Sequence, residues 1–126
     1  RAEPNDWEKT WQRCQKKYRE DPEYQKASNG GIDCKINGAY VLLGLLWGNG
    51  DPDRTIEIAC RAGMDSDCNG ATAGSIIGAA LGAKALPAKW IDPLGGKLET
   101  TVIGFPLPEI EELARRTMKQ VEKVLG

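Results

Sequence analysis

The chain has 126 residues, 40% of them hydrophobic and 28% charged, with a net charge of −1 and no histidine. This is one domain at most, of ordinary globular composition, and its charge makes no electrostatic case for nucleic acid. The longest apolar stretch, residues 76–83 with glycines inside it, falls far short of the roughly 20 residues that a membrane span needs.

The missing histidine removes serine–histidine and cysteine–histidine nucleophile pairs. Cys14, Cys34, Cys60 and Cys68 lack CxxC spacing, which argues against zinc. Dispersed in this way, they point to buried thiols in a reducing, cytoplasmic compartment rather than to a disulfide framework. The chain opens on Arg1 instead of methionine, and the expectation is a portion of a longer protein.

In chain order, residues 6–19 predict a helix. Trp7, Trp11, Cys14 and Tyr18 follow at spacings of four, three and four, which puts them on one core-facing edge. Ser28-Asn29-Gly30-Gly31 reads as a loop. Residues 37–47 predict a short apolar helix with Ala39, Leu42, Leu43 and Leu46 on its inner face. After the Gly48-Asn49-Gly50 break, Asp51 fits an N-cap and Pro52 the first helical position. Residues 52–62 should then be helical, with Ile56, Ala59 and Cys60 inward and Gly63 as the C-cap.

A fourth helix is expected over residues 69–83. Pro87, Pro93 and Gly95-Gly96 mark a long irregular connection, in which only residues 97–105 hint at extended structure. Residues 108–125 form the last helix, with Ile110, Leu113, Ala114, Val121 and Leu125 along an apolar stripe. The fold class is all-α.

Gly70, Gly74, Gly78 and Gly82 stand four apart and form one row on the fourth helix. Each costs about 1 kcal/mol relative to alanine in a helix interior, so something must offset the row. Close backbone packing against a neighbouring helix is one account, and room for a ligand near the Gly70 end is the other.

Just before that row, Asp65 and Asp67 share a turn. Two acids so close repel, and a bound cation makes such an arrangement favourable. Helix capping by one of them, or by Asn69, is the alternative. Asp65-x-Asp67-x-Asn69-Gly70 also matches the opening of a calcium loop. However, the twelfth position is Ile76 where a bidentate glutamate is required, and the run after Gly70 reads as helix, so that reading fails.

With these residues in view, Asn37-Gly38-Ala39-Tyr40, the Asp51-Pro52 helix and the run AGMDSDCNGATAGSIIGAALGAKALPAKW resemble the C-terminal part of ADP-ribosylglycohydrolase-like proteins. That family includes the dinitrogenase reductase-activating glycohydrolases and certain crystallins. The resemblance covers residues 32–90, and the tail to residue 126 is compatible with it. It implies an all-α orthogonal bundle with a Mg²⁺ or Mn²⁺ centre that hydrolyses a glycosidic bond of ADP-ribose conjugates.

In that family the metals are held jointly by a Thr-Asp-Asp group in the N-terminal half and by an Asp-x-Asp-Thr group near the C-terminus. Asp65 and Asp67 match the two acids of the second group. Met64 replaces a common glycine, Ser66 replaces the intervening threonine, and Cys68 stands where a threonine hydroxyl often binds metal. The N-terminal acidic group is absent. The resemblance therefore implies half a metal site, completed by the N-terminal half of the same protein. Its partner would be an ADP-ribose-type small molecule or an ADP-ribosylated protein. A non-catalytic structural or interaction module of the same fold, as the crystallins illustrate, stays open beside the enzyme.

Overall fold

The computed structural model describes residues 6–28 and 33–126. The loop expected around Asn29 to Gly31 falls outside them. The described elements are α1 (Trp7–Cys14), continued by a π-helical turn (Gln15–Arg19), α2 (Pro22–Ser28), α3 (Cys34–Gly48), α4 (Pro52–Arg61), α5 (Ser66–Leu81), α6 (Ala88–Ile91) and α7 (Ile110–Leu125). The expected all-α class is what forms. The extended hint at residues 97–105 comes down to one isolated antiparallel bridge, Lys97 to Glu109. The chain divides into two compact units, Arg1–Ala85 and Leu86–Gly126.

In the first unit, Asp6 starts α1 by accepting a hydrogen bond from the Lys9 amide at 3.1 Å. The aromatic edge packs as the spacing predicts. Trp7, Trp11, Cys14 and Tyr18 lie against Ile36, Tyr40, Leu43, Trp47, Ile58 and Ala62. The Trp11 indole N–H donates to the Ala62 carbonyl at 2.7 Å, which gives the large side chain a polar partner as well. The helix α2, unforeseen in the sequence, begins where the Asp21 carboxylate accepts from the Tyr24 amide at 2.9 Å.

The third helix starts earlier than expected, capped by Asp33, whose carboxylate accepts from the Lys35 amide at 2.7 Å. Its inner face also differs. Ile36, Tyr40, Val41, Leu43 and Trp47 are buried, while Leu42 and Leu46 are 55% and 40% exposed. This corrects the face assigned from the sequence. The physical reason is that α3 packs against α1, α4 and α5, and a helix that is apolar nearly all round has no single stripe to read.

Gly44 and Gly48 fix the orientation of α3 instead. A Cβ at Gly44 would lie 2.6 Å from the Thr55 carbonyl oxygen and 3.0 Å from the Ala59 Cβ, and one at Gly48 would collide with Thr55 Oγ1. At these two glycines the backbone of α3 lies directly against the backbone of α4 at Thr55. Asp51 caps α4 as expected, accepting from the amides of Asp53 and Arg54 at 2.9 and 3.2 Å, with Pro52 in the first turn.

The glycine row on α5 behaves differently from the expected backbone seam. Gly70 is tight, since a Cβ there would lie 2.5 Å from Cys60 Sγ. At Gly74 it would meet Ile56 Cδ1 at an ordinary 3.5 Å. Gly82 lies past the helix end, at φ +78°. All four cysteines are free thiols. Cys14 and Cys60 are half-buried and Cys34 and Cys68 are exposed, so the thiols are free as expected but none is fully buried.

In the second unit, α7 and the preceding loop enclose an apolar groove of about 440 Å³ lined by Leu98, Val102, Phe105 and Leu113 among others. The Arg116 guanidinium lies over the Phe105 ring at 4.6 Å. Of the apolar stripe expected on α7, Leu113 is half-buried and Val121 and Leu125 are exposed. No helix among the described residues is long and apolar enough to cross a membrane.

Candidate functional site

The acidic turn is built by two successive residues in the left-handed region. Gly63 at φ +93° ends α4, and Met64 follows at φ +60°. A side chain at such an angle is strained, so the turn needs external support. Together these residues reverse the chain and start α5 at Ser66, three residues before the position expected from the sequence. Asp65 thereby becomes the N-cap, and Asp67 falls in the first helical turn.

The ligand atoms of Asp65, Asp67 and Cys68 all lie within 4.8 Å of one another. Asp65 is half-buried, and the other two are exposed. Other acids are engaged elsewhere: Asp33 and Asp51 cap their helices, and Glu57 pairs with Arg61 at 3.1 Å. Among the described residues, this cluster is the group of three or more with metal-ligating side chains.

Capping does not account for Asp65. It occupies the N-cap position, yet its carboxylate makes no capping hydrogen bond. Nor is Asn69 an exposed cap. It is 3% exposed, and its amide nitrogen donates to Asn37 Oδ1 at 3.0 Å and to the Gly63 carbonyl at 3.3 Å. The Asp65 backbone amide also reaches Asn37 Oδ1, at 3.4 Å. On the opposite side, the Cys60 thiol donates to the Ser66 carbonyl at 3.5 Å. That thiol fills the space which the missing side chain of Gly70 leaves.

The electrostatics of the cluster fall on its thiol. Cys68 donates to the Asp65 carboxylate, and Asp65 and Asp67 both repel a thiolate there, so its pKa is pushed above the ordinary thiol value. Cys68 therefore stays protonated through the neutral range. Two carboxylates offer hard oxygen donors of the kind Mg²⁺ and Mn²⁺ take, whereas a neutral thiol is a poor ligand for either. The donor set suits a hard divalent ion at two positions.

The family model for ADP-ribosylglycohydrolase matches residues 2–124 of the chain. The chain belongs to the ADP-ribosylglycohydrolase family. Neither a curated protein nor a solved structure gives a match. Membership of the ADP-ribosylglycohydrolase family supports a glycohydrolase-like hydrolase and agrees with the all-α architecture. In this family member the structure brings Asp65 and Asp67 together as their spacing predicts. Sequence reasoning gave Asn37 no role. The signal it offered was an amide among apolar residues on a buried helix.

Proposed function

We propose that this chain is the C-terminal part of a metal-dependent hydrolase that cleaves a glycosidic bond of ADP-ribose conjugates. Asp65 and Asp67 would be carboxylate ligands of Mg²⁺ or Mn²⁺. The observation that carries the reading is the Asp65 carboxylate: half-buried, without a capping bond, and clustered with Asp67 and Cys68. Two carboxylates held this close repel each other, and a bound cation offsets that repulsion.

When bound, such an ion lowers the pKa of a coordinated water and stabilises charge in the transition state, with no need for histidine. What the chain itself supplies is orientation. The Asp65 carboxylate is tied to the turn's backbone geometry, and Asp67 is set by the first turn of α5. Cys68, kept protonated by its acidic neighbours, serves as a hydrogen-bond donor and not as a base. Mg²⁺ needs further ligands to be held firmly. On this reading they come from a second acidic group in the N-terminal half of the same protein. The substrate is an ADP-ribose-type small molecule or an ADP-ribosylated protein.

A second reading is favoured by Cys68 itself. A protonated thiol where the family often has a ligating hydroxyl weakens the centre, and a non-catalytic structural or interaction module follows from that. Release of ADP-ribose from ADP-ribosylated protein, by a chain carrying both acidic groups, separates the two. Asp65→Asn and Asp67→Asn should each lower the rate by at least the roughly 10- to 100-fold that even outer-shell changes cost at metal sites. No release by the parent chain would favour the non-catalytic module.

A further inference from the structure

We infer that Asn37 is the positioning residue of the acidic turn: its buried amide oxygen anchors the backbone at Asp65, and through Asn69 it fixes the geometry of the Asp65–Asp67 pair. This rests on the metal reading of that turn. Asn37 and Asn69 are only 8% and 3% exposed, although asparagine is a poor helix former and a buried amide is unfavourable unless its polar atoms are paired. The partners show what the amides accomplish. Asn37 Oδ1 accepts from the Asp65 backbone amide at 3.4 Å and from Asn69 Nδ2 at 3.0 Å, which uses both of its lone pairs. Asn69 Nδ2 also donates to the Gly63 carbonyl at 3.3 Å.

The pair thus ties three things together: the second turn of α3, the carbonyl that ends α4, and the residue that starts α5. Between the two tethered backbone groups, at Gly63 and Asp65, lies Met64 at φ +60°. A strained residue of this kind persists only where its surroundings over-determine it. Without the Asn37 acceptor, the turn gains freedom at the residue whose carboxylate must point at a metal. Asn37 touches neither metal nor substrate; it acts through the backbone of Asp65.

The test compares wild type, Asn37→Ala and Asn37→Asp, with hydrogen exchange read at the Asp65 amide and Mn²⁺ affinity by electron paramagnetic resonance. In Asn37→Ala the Asp65 amide should exchange about tenfold faster or more, as expected for loss of one hydrogen bond to a buried acceptor. Exchange at Ala73 and Ile77, in the middle of α5, should be unchanged. Mn²⁺ affinity should fall by roughly 10- to 100-fold. Asn37→Asp keeps an acceptor in place and should restore slow exchange at Asp65; the rescue is read at the amide alone, because the added carboxylate changes metal affinity by its charge.

Unchanged Asp65 exchange or unchanged Mn²⁺ affinity in Asn37→Ala overturns the inference, and so does fast Asp65 exchange that Asn37→Asp leaves uncorrected. Should Asn37→Ala fail to fold, Asn37→Leu removes the same acceptor at a similar side-chain volume, and the same exchange signature at Asp65 decides. A wild type that binds no Mn²⁺ sinks the metal reading instead, while the exchange arm still decides whether the clamp exists.

Discussion

Replacing Gly44 by alanine tests the packing that orients α3. The new Cβ would stand 2.6 Å from the Thr55 carbonyl oxygen and 3.0 Å from the Ala59 Cβ. An ordinary contact is about 3.5 Å, so one neighbour must retreat by roughly 0.9 Å and the other by roughly 0.5 Å. The first is backbone and cannot rotate away. Overpacking of this kind costs about 1 to 3 kcal/mol, and the upper end applies here. Alanine returns about 1 kcal/mol in helix propensity, which leaves a net loss of about 2 kcal/mol.

For a unit of this size, each kcal/mol moves the melting temperature by roughly 4–8 °C. Thermal unfolding followed by circular dichroism should therefore show a fall of roughly 8–16 °C. Gly74→Ala is the control. Its Cβ would meet Ile56 at 3.5 Å, an ordinary contact, so the propensity gain stands nearly alone and the melting temperature should rise by roughly 4–8 °C. A neutral Gly44→Ala, or a destabilising Gly74→Ala, would refute the assignment of the close approach to α3 and α4.

Met64→Gly should stabilise the protein. Relieving φ +60° returns about 1–2 kcal/mol and the added backbone entropy takes back about 0.5–1 kcal/mol, so the denaturant midpoint should increase modestly; a decrease would mean that the methionine side chain carries packing the turn needs. Asp65→Asn should accelerate alkylation of Cys68 by iodoacetamide at pH 8, with Cys34 as the internal control. The sign follows from the cause: Asp65 and Asp67 hold the thiol above its ordinary value, so neutralising one lowers the pKa and raises the thiolate fraction. Mass spectrometry showing an equal or slower rate would contradict this.

Local chemistry was the part most readable in advance. Asp51-Pro52 announced α4 because a capping carboxylate and a proline at the first helical position act within one turn. The Trp7, Trp11, Cys14 and Tyr18 edge was readable because a single apolar stripe on a polar helix has a period. Asp21-Pro22 carries the same start signal and marks α2, which was missed although its residues were in plain view. The inner face of α3 was not readable in this way. With apolar residues on all sides, its orientation depends on Gly44 and Gly48 meeting Thr55, a contact made only once α4 is in place.

The acidic turn divides along the same line. Asp65 and Asp67 are neighbours in sequence, and so their pairing was legible. The clamp beneath them joins Asn37 to Asn69 across 32 positions, and no spacing rule reports a bond of that reach. The start of α5 was placed too late for a related reason. Met64 takes a conformation that glycine usually supplies, so the turn residue did not announce the turn.

The central claim is that Asp65 and Asp67 hold a divalent metal ion, and a Mn²⁺ titration of wild type, Asp65→Asn and Asp67→Asn tests it most directly. With electron paramagnetic resonance reporting free Mn²⁺, wild type should show saturable binding, weak as two carboxylates from one turn dictate. Each variant should lose about tenfold or more of that affinity, and Mg²⁺ should compete in wild type. Identical binding by all three proteins, or none by wild type, would contradict the account.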